Sequence, residues 1–258
     1  MRSANFDRTL TLIKSISGIR GTLGGKVGET LTPLDITKYA AAYGMWLKQS
    51  HESATVVIGR DARPSGPMVA QLISSTLIAQ GINVLDLGLS TTPTVEMAVI
   101  MEKAEGGIII TASHNPAGWN ALKLLNHKGE FVSATDGRDI LDWAESSDVS
   151  FVEPKHFGTI STDDDYIAKH IEKVLEHPLV DVKAIQEKKF NVIVDAVNST
   201  GGIAVPMLLK KLGVTTTELY CEPNGNFPHN PEPLPENIQQ ITNELQSGNF
   251  QLGIVVDP

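Results

Sequence analysis

One cysteine, Cys221, stands among 258 residues, so no disulfide can close within the chain, and a lone thiol fits a reducing compartment. Apolar residues never run for the roughly 18 positions that a membrane-spanning helix needs, and residues 1–10 lack the apolar stretch of a secretion signal. Both deficits predict a cytoplasmic protein without a membrane partner. Basic side chains are also few. The 21 Lys and Arg against 30 Asp and Glu leave a formal charge of −9, which argues against non-specific nucleic-acid binding, where basic surface must neutralise phosphates. Several catalytic signatures are missing as well: no two glycines are spaced GxG, and neither GxxxxGKS, GxxxxGKT, GxSxG nor a pair of histidines four apart occurs. These absences exclude the dinucleotide fingerprint, the nucleotide P-loop, the serine-hydrolase elbow and the helical zinc motif.

What is present is a repeated alternation of short apolar runs and longer helical patterns, in a chain long enough for two domains. Residues 11–16 are β-compatible and 17–25 form a glycine-rich loop. Thr32-Pro33 then supplies an N-cap with proline at the first helical position, predicting a helix to about Lys48. Strands are predicted at 55–58, 83–87 and 107–110, and helices at 67–80 and 94–104, with loops at 59–66 and 88–93. Strands alternating with helices of this length indicate βαβ units and a mainly parallel sheet covered on both faces. Residues 121–125 and 130–132, separated by Asn126-His127-Lys128-Gly129, suggest a hairpin that makes the sheet mixed.

Periodicity is lost over 150–162, which divides the chain into domains at 1–155 and 156–258. The second unit reads as a helix from Asp163 to about His177 capped by Thr162, a strand at 190–194 and a helix to Leu212. A strand at 214–220, a loop at 221–235 with five prolines, a helix at 236–246 and a strand at 251–256 follow. The triplet Asp163-Asp164-Asp165 suits the positive end of a helix dipole better than a metal. The fold class is α/β, with two consecutive three-layer α/β/α domains whose sheets are mixed and mainly parallel.

Chemistry concentrates in Thr111-Ala112-Ser113-His114-Asn115-Pro116, directly after the apolar run 107–110 and before Trp119-Asn120-Ala121-Leu122-Lys123. Ligands of open α/β sheets bind outside the carboxyl ends of strands, so this exit offers a serine hydroxyl, an imidazole and a nearby lysine where chemistry is expected. Ser113 and His114 are adjacent and do not face each other, which argues against a protease-type dyad. Arg20 lies in Ser17-Gly18-Ile19-Arg20-Gly21-Thr22, and Arg60 and Arg63 lie in the loop 59–66. Guanidinium forks beside glycines suit an anionic small molecule despite the acidic total. Arg60-Asp61 reads equally as a structural ion pair.

The serine motif together with 119–123 resembles the phosphoserine loop of the α-D-phosphohexomutases, enzymes that move phosphate between C1 and C6 of a hexose. The Arg20 loop and the proline-dense segment 222–233 resemble that family too. The resemblance runs from Ser15 to Asp257 and implies the first domain and most of the second domain of a four-domain mutase. It implies that Ser113 is the phosphoserine, with His114 near the transferred phosphate, Lys123 the active-site lysine and Arg20 the N-terminal active-site arginine. Arg60, Arg63 and Asn115 would belong to substrate or phosphate loops, and His229 among its prolines is read as structural.

Magnesium is the implied metal, held by the phosphate of Ser113 and by Asp257. Asp257 follows Gly253-Ile254-Val255-Val256 as does the first of three alternating aspartates in the family, but the two further aspartates and the arginine after them are absent. The chain is therefore expected to be a fragment that is inactive alone and lacks a complete magnesium site. The implied reaction interconverts hexose 6-phosphate and hexose 1-phosphate through a bisphosphate, with hexose phosphate as substrate and hexose 1,6-bisphosphate as activator. The alanine of the serine motif resembles phosphoglucosamine mutases, so glucosamine phosphate is expected. Phosphoglucomutase or phosphomannomutase activity, or a non-catalytic phosphosugar-binding module, are the alternatives. Nothing in the sequence assigns an oligomeric state.

Overall fold

The computed structural model describes residues 10–15, 18–146 and 148–258. The segment 1–9 read for a secretion signal, the end of the first predicted strand at Ile16 and the start of the glycine-rich loop at Ser17 lie outside the described residues.

The larger sheet contains β1 (Ile13–Ser15), β2 (Gly18–Thr22), β3 (Thr55–Arg60), β4 (Asn83–Leu89), β5 (Gly106–Ile110), β6 (Trp119–Leu125) and β7 (Ile160–Thr162). Their order is β1-β2-β6-β5-β3-β4-β7. β5, β3, β4 and β7 run parallel, whereas β6 pairs antiparallel with β5 and β2, and β2 with β1. Helices α1 (Pro33–Lys48), α2 (Gly66–Ala79) and α4 (Ala134–Glu145) cover one face, and α3 (Thr92–Glu102) with Tyr166 of α5 (Tyr166–Leu175) the other.

Strand β5 shows why both faces must be covered. Ile108 and Ile110 pack into the core of Ile36, Tyr39 and Ile73, and Ile109 into that of Val57, Val95 and Val99, all fully buried. Burying one such side chain contributes about 1.5–3 kcal/mol. The start of α1 is fixed by a capping box: the Asp35 N–H donates to Thr32 Oγ1 at 3.4 Å, and the Thr32 N–H donates to Asp35 Oδ2 at 3.1 Å.

The smaller sheet has β8 (Asn191–Asp195) parallel to both β9 (Thr215–Leu219) and β10 (Leu252–Val255), in the order β10-β8-β9. Its Val192, Val194 and Ile254 pack with Val205 and Leu209 of α7 (Gly201–Lys211). On the opposite face Gly253 lies under Ile241 and Leu245 of α8 (Gln239–Ser247). Helix α5 packs against both α3 and α7, so the two α/β/α units share one helical layer. That arrangement brings the exit of β5 to the exit of β10. Among the described residues no helix is long and apolar enough to cross a membrane.

Three expectations are corrected, and one helix is new. The segment around Arg20 is strand β2 rather than loop, and Gly18 serves close strand approach: its φ is +131°, and a Cβ there would stand 2.2 Å from the Leu122 carbonyl oxygen. The expected hairpin at 130–132 is reduced to one bridge, Leu125 with Phe131, across a tight turn. Thr162, expected to cap a helix, ends β7 on the edge of the larger sheet. α5 accordingly begins at Tyr166 after Asp165, while Asp163 pairs with Lys169 at 2.6 Å. Helix α6 (Val182–Lys188) was not anticipated, because it buries no side chain and so has no apolar stripe; Asp181 caps it, accepting from the Ala184 N–H.

Candidate active site

Beyond Ile110 the chain turns sharply, and Ser113 adopts a left-handed φ of +52°, uncommon for a residue with a Cβ. Thr111 Oγ1 accepts from the Ser113 N–H at 3.0 Å, and the Ala112 carbonyl from the Asn115 N–H at 3.1 Å. Apart from the Trp119 N–H of β6, which donates to the Pro116 carbonyl at 2.9 Å, no helix or strand among the described residues supplies donors to the carbonyl oxygens that this turn points inward. Arg63 does. Its Nη2 donates to the carbonyls of Ser113 and Asn115, each at 2.6 Å, and its Nη1 to those of Pro116 at 2.6 Å and Trp119 at 3.1 Å. Nε donates to Asp61 Oδ2 at 2.9 Å.

A guanidinium has five N–H donors, and these five bonds employ all of them in a side chain with no exposed surface. Arg63, expected in a phosphate loop, is therefore turned away from solvent into the back of the serine loop. The expected ion pair also shifts: Asp61 joins Arg63, while Arg60 ends β3 with its Nη1 3.4 Å from the Asp61 carbonyl.

In front of the loop a cavity of about 320 Å³ is lined by Arg20, Ser113, His114 and Lys123, with Gly18 and Phe131. Four residues singled out in the sequence thus meet there. Arg20 comes from β2 and Lys123 from β6, whose antiparallel pairing sets Arg20 opposite Ala121. Burial lowers the Lys123 pKa, with Arg20 adding to the effect, against the opposing attraction of Asp257, Asp61 and Glu96. His114 is exposed. Arg60 and Asn115 do not line the cavity; the Asn115 Oδ1 is buried without a partner among the described residues.

The Ser113 hydroxyl donates to Asp257 Oδ2 at 2.6 Å. This contact joins the two domains at the strand exits. Among the described residues no cluster of three or more His, Cys, Asp or Glu is placed to hold a metal ion. Ser113 and Asp257 nonetheless present only oxygen atoms, the donor type that hard divalent cations take. A second cavity, of about 260 Å³, lies between α3, α5 and α7 and is lined mainly by apolar groups such as Ile167, Ile171, Val205 and Leu208. His170 lies in it, 3.0 Å from Thr94 Oγ1, and burial lowers its pKa. Among the described residues no Lys or Arg lines that space, so of these two cavities the serine cavity is the one suited to an anion.

His229 stands apart from both cavities, its Nε2 3.0 Å from Asp195 Oδ2 and its Nδ1 2.8 Å from the Asn230 carbonyl. Both ring nitrogens are engaged.

Residues 13–149 match phosphoglucomutase/phosphomannomutase α/β/α domain I, and residues 168–258 match domain II. The chain belongs to the phosphoglucomutase/phosphomannomutase family. A phosphoglucomutase/phosphomannomutase of Thermococcus kodakarensis is 33% identical over 241 residues, covering 92% of this chain and 52% of the relative. A phosphoglucosamine/phosphogalactosamine mutase of Sulfurisphaera tokodaii is 28% identical over 246 residues, covering 93% and 51%. The crystal structure of a phosphoglucomutase/phosphomannomutase family protein from Burkholderia thailandensis superposes with a TM-score of 0.74 at 23% identity, covering 95% of this chain and 51% of that one. The chain spans about half the length of the curated relatives it matches.

In this family member the sequence motifs located the residues facing the cavity but not those behind it. Asp61 and Arg63 carry no local signal of their inward orientation, and Phe227, which covers the Arg63 guanidinium from the second domain, lies far away in sequence.

Proposed function

We propose that Ser113 is the phosphoryl carrier of a phosphohexomutase that interconverts hexose 6-phosphate and hexose 1-phosphate through a bisphosphate. The observation that carries this reading is the convergence of Ser113, Arg20 and Lys123 on one cavity at a strand exit. In the forward half-reaction the free hydroxyl oxygen of the bound hexose phosphate attacks the phosphorus of phosphorylated Ser113. The bond from phosphorus to Oγ breaks, and the hydroxyl proton passes to neutral Lys123 Nζ, whose pKa burial lowers, and from there to the departing Ser113 Oγ. Reversal with the other phosphate of the bisphosphate restores the phosphoserine.

Arg20 holds phosphate oxygens through its planar fork, and His114 at the mouth of the cavity faces the same group. Phosphoryl transfer asks mainly for positioning and charge stabilisation, which these side chains supply. The phosphate of Ser113 and the carboxylate of Asp257 fit as two ligands of a magnesium ion, which would offset charge on the transferred group. The proposed substrate is glucosamine phosphate, supported by the alanine in the serine motif and by the name of the Sulfurisphaera tokodaii relative. A hexose 1,6-bisphosphate is the proposed activator that loads Ser113.

The test uses these 258 residues within a chain as long as the relatives, phosphorylated on Ser113 and incubated with magnesium and glucosamine 6-phosphate, glucose 6-phosphate or mannose 6-phosphate. Phosphate is expected to leave Ser113 and appear in the corresponding 1,6-bisphosphate, fastest with glucosamine 6-phosphate. Phosphate that stays on Ser113 with all three sugars contradicts the proposal.

A further inference from the structure

The serine loop is braced from behind by the second domain. The loop carbonyls of Ser113, Asn115 and Pro116, and that of Trp119 at the start of β6, accept from Arg63, and with Nε on Asp61 the guanidinium has no N–H left for any other group. One face of that guanidinium is covered by Phe227, with its carbon 5.1 Å from the ring centroid. Phe227 belongs to the proline-dense loop between β9 and α8, and this loop is seated closely on residues 61–64. Gly225, with φ +73°, is so near that a Cβ would stand 2.1 Å from the Ala62 carbonyl oxygen. The Gly225 N–H donates to the Asn198 carbonyl at 3.0 Å, and Asn198 Nδ2 to the Asn226 carbonyl at 2.9 Å. The Ala62 N–H points at Ser199 Oγ, 3.4 Å away.

The ring therefore has a defined place over the cation. It attracts the guanidinium through its π face and keeps out the water that would compete for the loop carbonyls. Ser113, in a left-handed conformation that its own residue type does not favour, is held by those bonds.

We propose that Phe227 is a positioning residue for Ser113, acting through Arg63, so that the second domain sets the order of the serine loop and the speed of phosphoryl transfer at Ser113. The kinetic part rests on the reading of Ser113 as phosphoryl carrier; the ordering of the loop does not.

The test compares wild type with Phe227→Leu, which keeps apolar bulk, and Phe227→Tyr, which keeps the ring, each within a chain as long as the relatives. Phe227 is only partly buried, so neither variant threatens the fold, unlike changes at Arg63. Hydrogen exchange is followed across residues 111–119, together with the rate of Ser113 phosphorylation by glucose 1,6-bisphosphate and magnesium. Phe227→Leu is expected to speed exchange in this segment about tenfold and to lower the maximal phosphorylation rate by a similar factor, with the half-saturating bisphosphate concentration unchanged. Phe227→Tyr is expected to restore both. Wild-type exchange in Phe227→Leu, or failure of the tyrosine to rescue, overturns the proposal. A wild-type chain that takes no phosphate, while Phe227→Leu still loosens 111–119, supports the Phe227 contact and overturns the phosphoryl-carrier reading alone.

Discussion

The Ser113 hydroxyl and the Asp257 carboxylate share a hydrogen bond of 2.6 Å, which ties the exit of β5 to the exit of β10. Phosphorylation of Ser113 changes the sign of that relationship. The phosphate brings roughly −1.5 to −2 charges against a carboxylate, which costs stability unless a cation lies between them. In EDTA the phosphorylated chain is expected to melt below the unmodified one. Magnesium at about 100 times its dissociation constant should stabilise the phosphorylated chain by about 2.7 kcal/mol. Asp257→Asn should remove most of the deficit in EDTA. A melting temperature of the phosphorylated chain that ignores magnesium contradicts this account.

Lys123 gives a pH dependence whose sign is fixed by its burial. Its folded-state pKa lies below the ordinary value of 10.5, so the unfolded chain holds the proton more tightly. Stability therefore rises with pH between the folded value and about 10.5, and the burial penalty is present in full below that window. Lys123→Met is expected to be more stable than wild type at pH 7, with the advantage shrinking as pH climbs toward 10.5. Urea denaturation at pH 7, 8, 9 and 10 measures the difference; a constant gap contradicts the assignment. The same variant should lose phosphoryl uptake by about 10²–10⁴-fold, the usual contribution of a general acid or base.

The seating of the second domain on residues 61–64 is tested by Gly225→Ala. The left-handed conformation alone costs a residue with a Cβ about 1–2 kcal/mol. The new carbon also meets the Ala62 carbonyl at 2.1 Å, so the total loss exceeds that range. A urea midpoint unchanged from wild type would show that this contact is not made.

Cys221 reports on the packing of the smaller sheet. Burial, reinforced by Glu218 and Asp195, pushes its thiol up to about 11. At pH 8 only about one molecule in a thousand then carries the thiolate, the form that alkylating reagents attack. Iodoacetamide labelling of the native chain is expected to be at least about a hundredfold slower than that of the urea-unfolded chain. Equal rates would place the thiol in solvent.

Much of the fold was legible because it follows local rules. The helix from Pro33 to Lys48 begins and ends where Thr32, Pro33 and the apolar spacing predict. The triple isoleucine of β5 announces a strand buried on both faces. Where local rules failed, a distant partner decides the conformation. Gly18-Ile19-Arg20-Gly21-Thr22 has the composition of a loop and becomes strand by pairing with β1 and β6. Thr162 has the chemistry of a helix cap, yet β4 recruits its segment as an edge strand.

The candidate site divides the same way. Ser113, His114, Lys123 and Arg20 were visible from motif and offset, and they reach one cavity. Arg63 was visible only as a cation in a loop. Its inward orientation is set by carbonyls fifty or more positions away in sequence, which no local pattern of residues 59–66 encodes.

The central claim is that Ser113 carries phosphate. Intact mass with phosphosite mapping of these residues within a chain as long as the relatives, before and after incubation with glucose 1,6-bisphosphate and magnesium, tests it most directly. The account predicts one phosphate, present at the outset or acquired, located on Ser113 and lost in Ser113→Ala. A chain that carries no phosphate on Ser113 under either condition would contradict it.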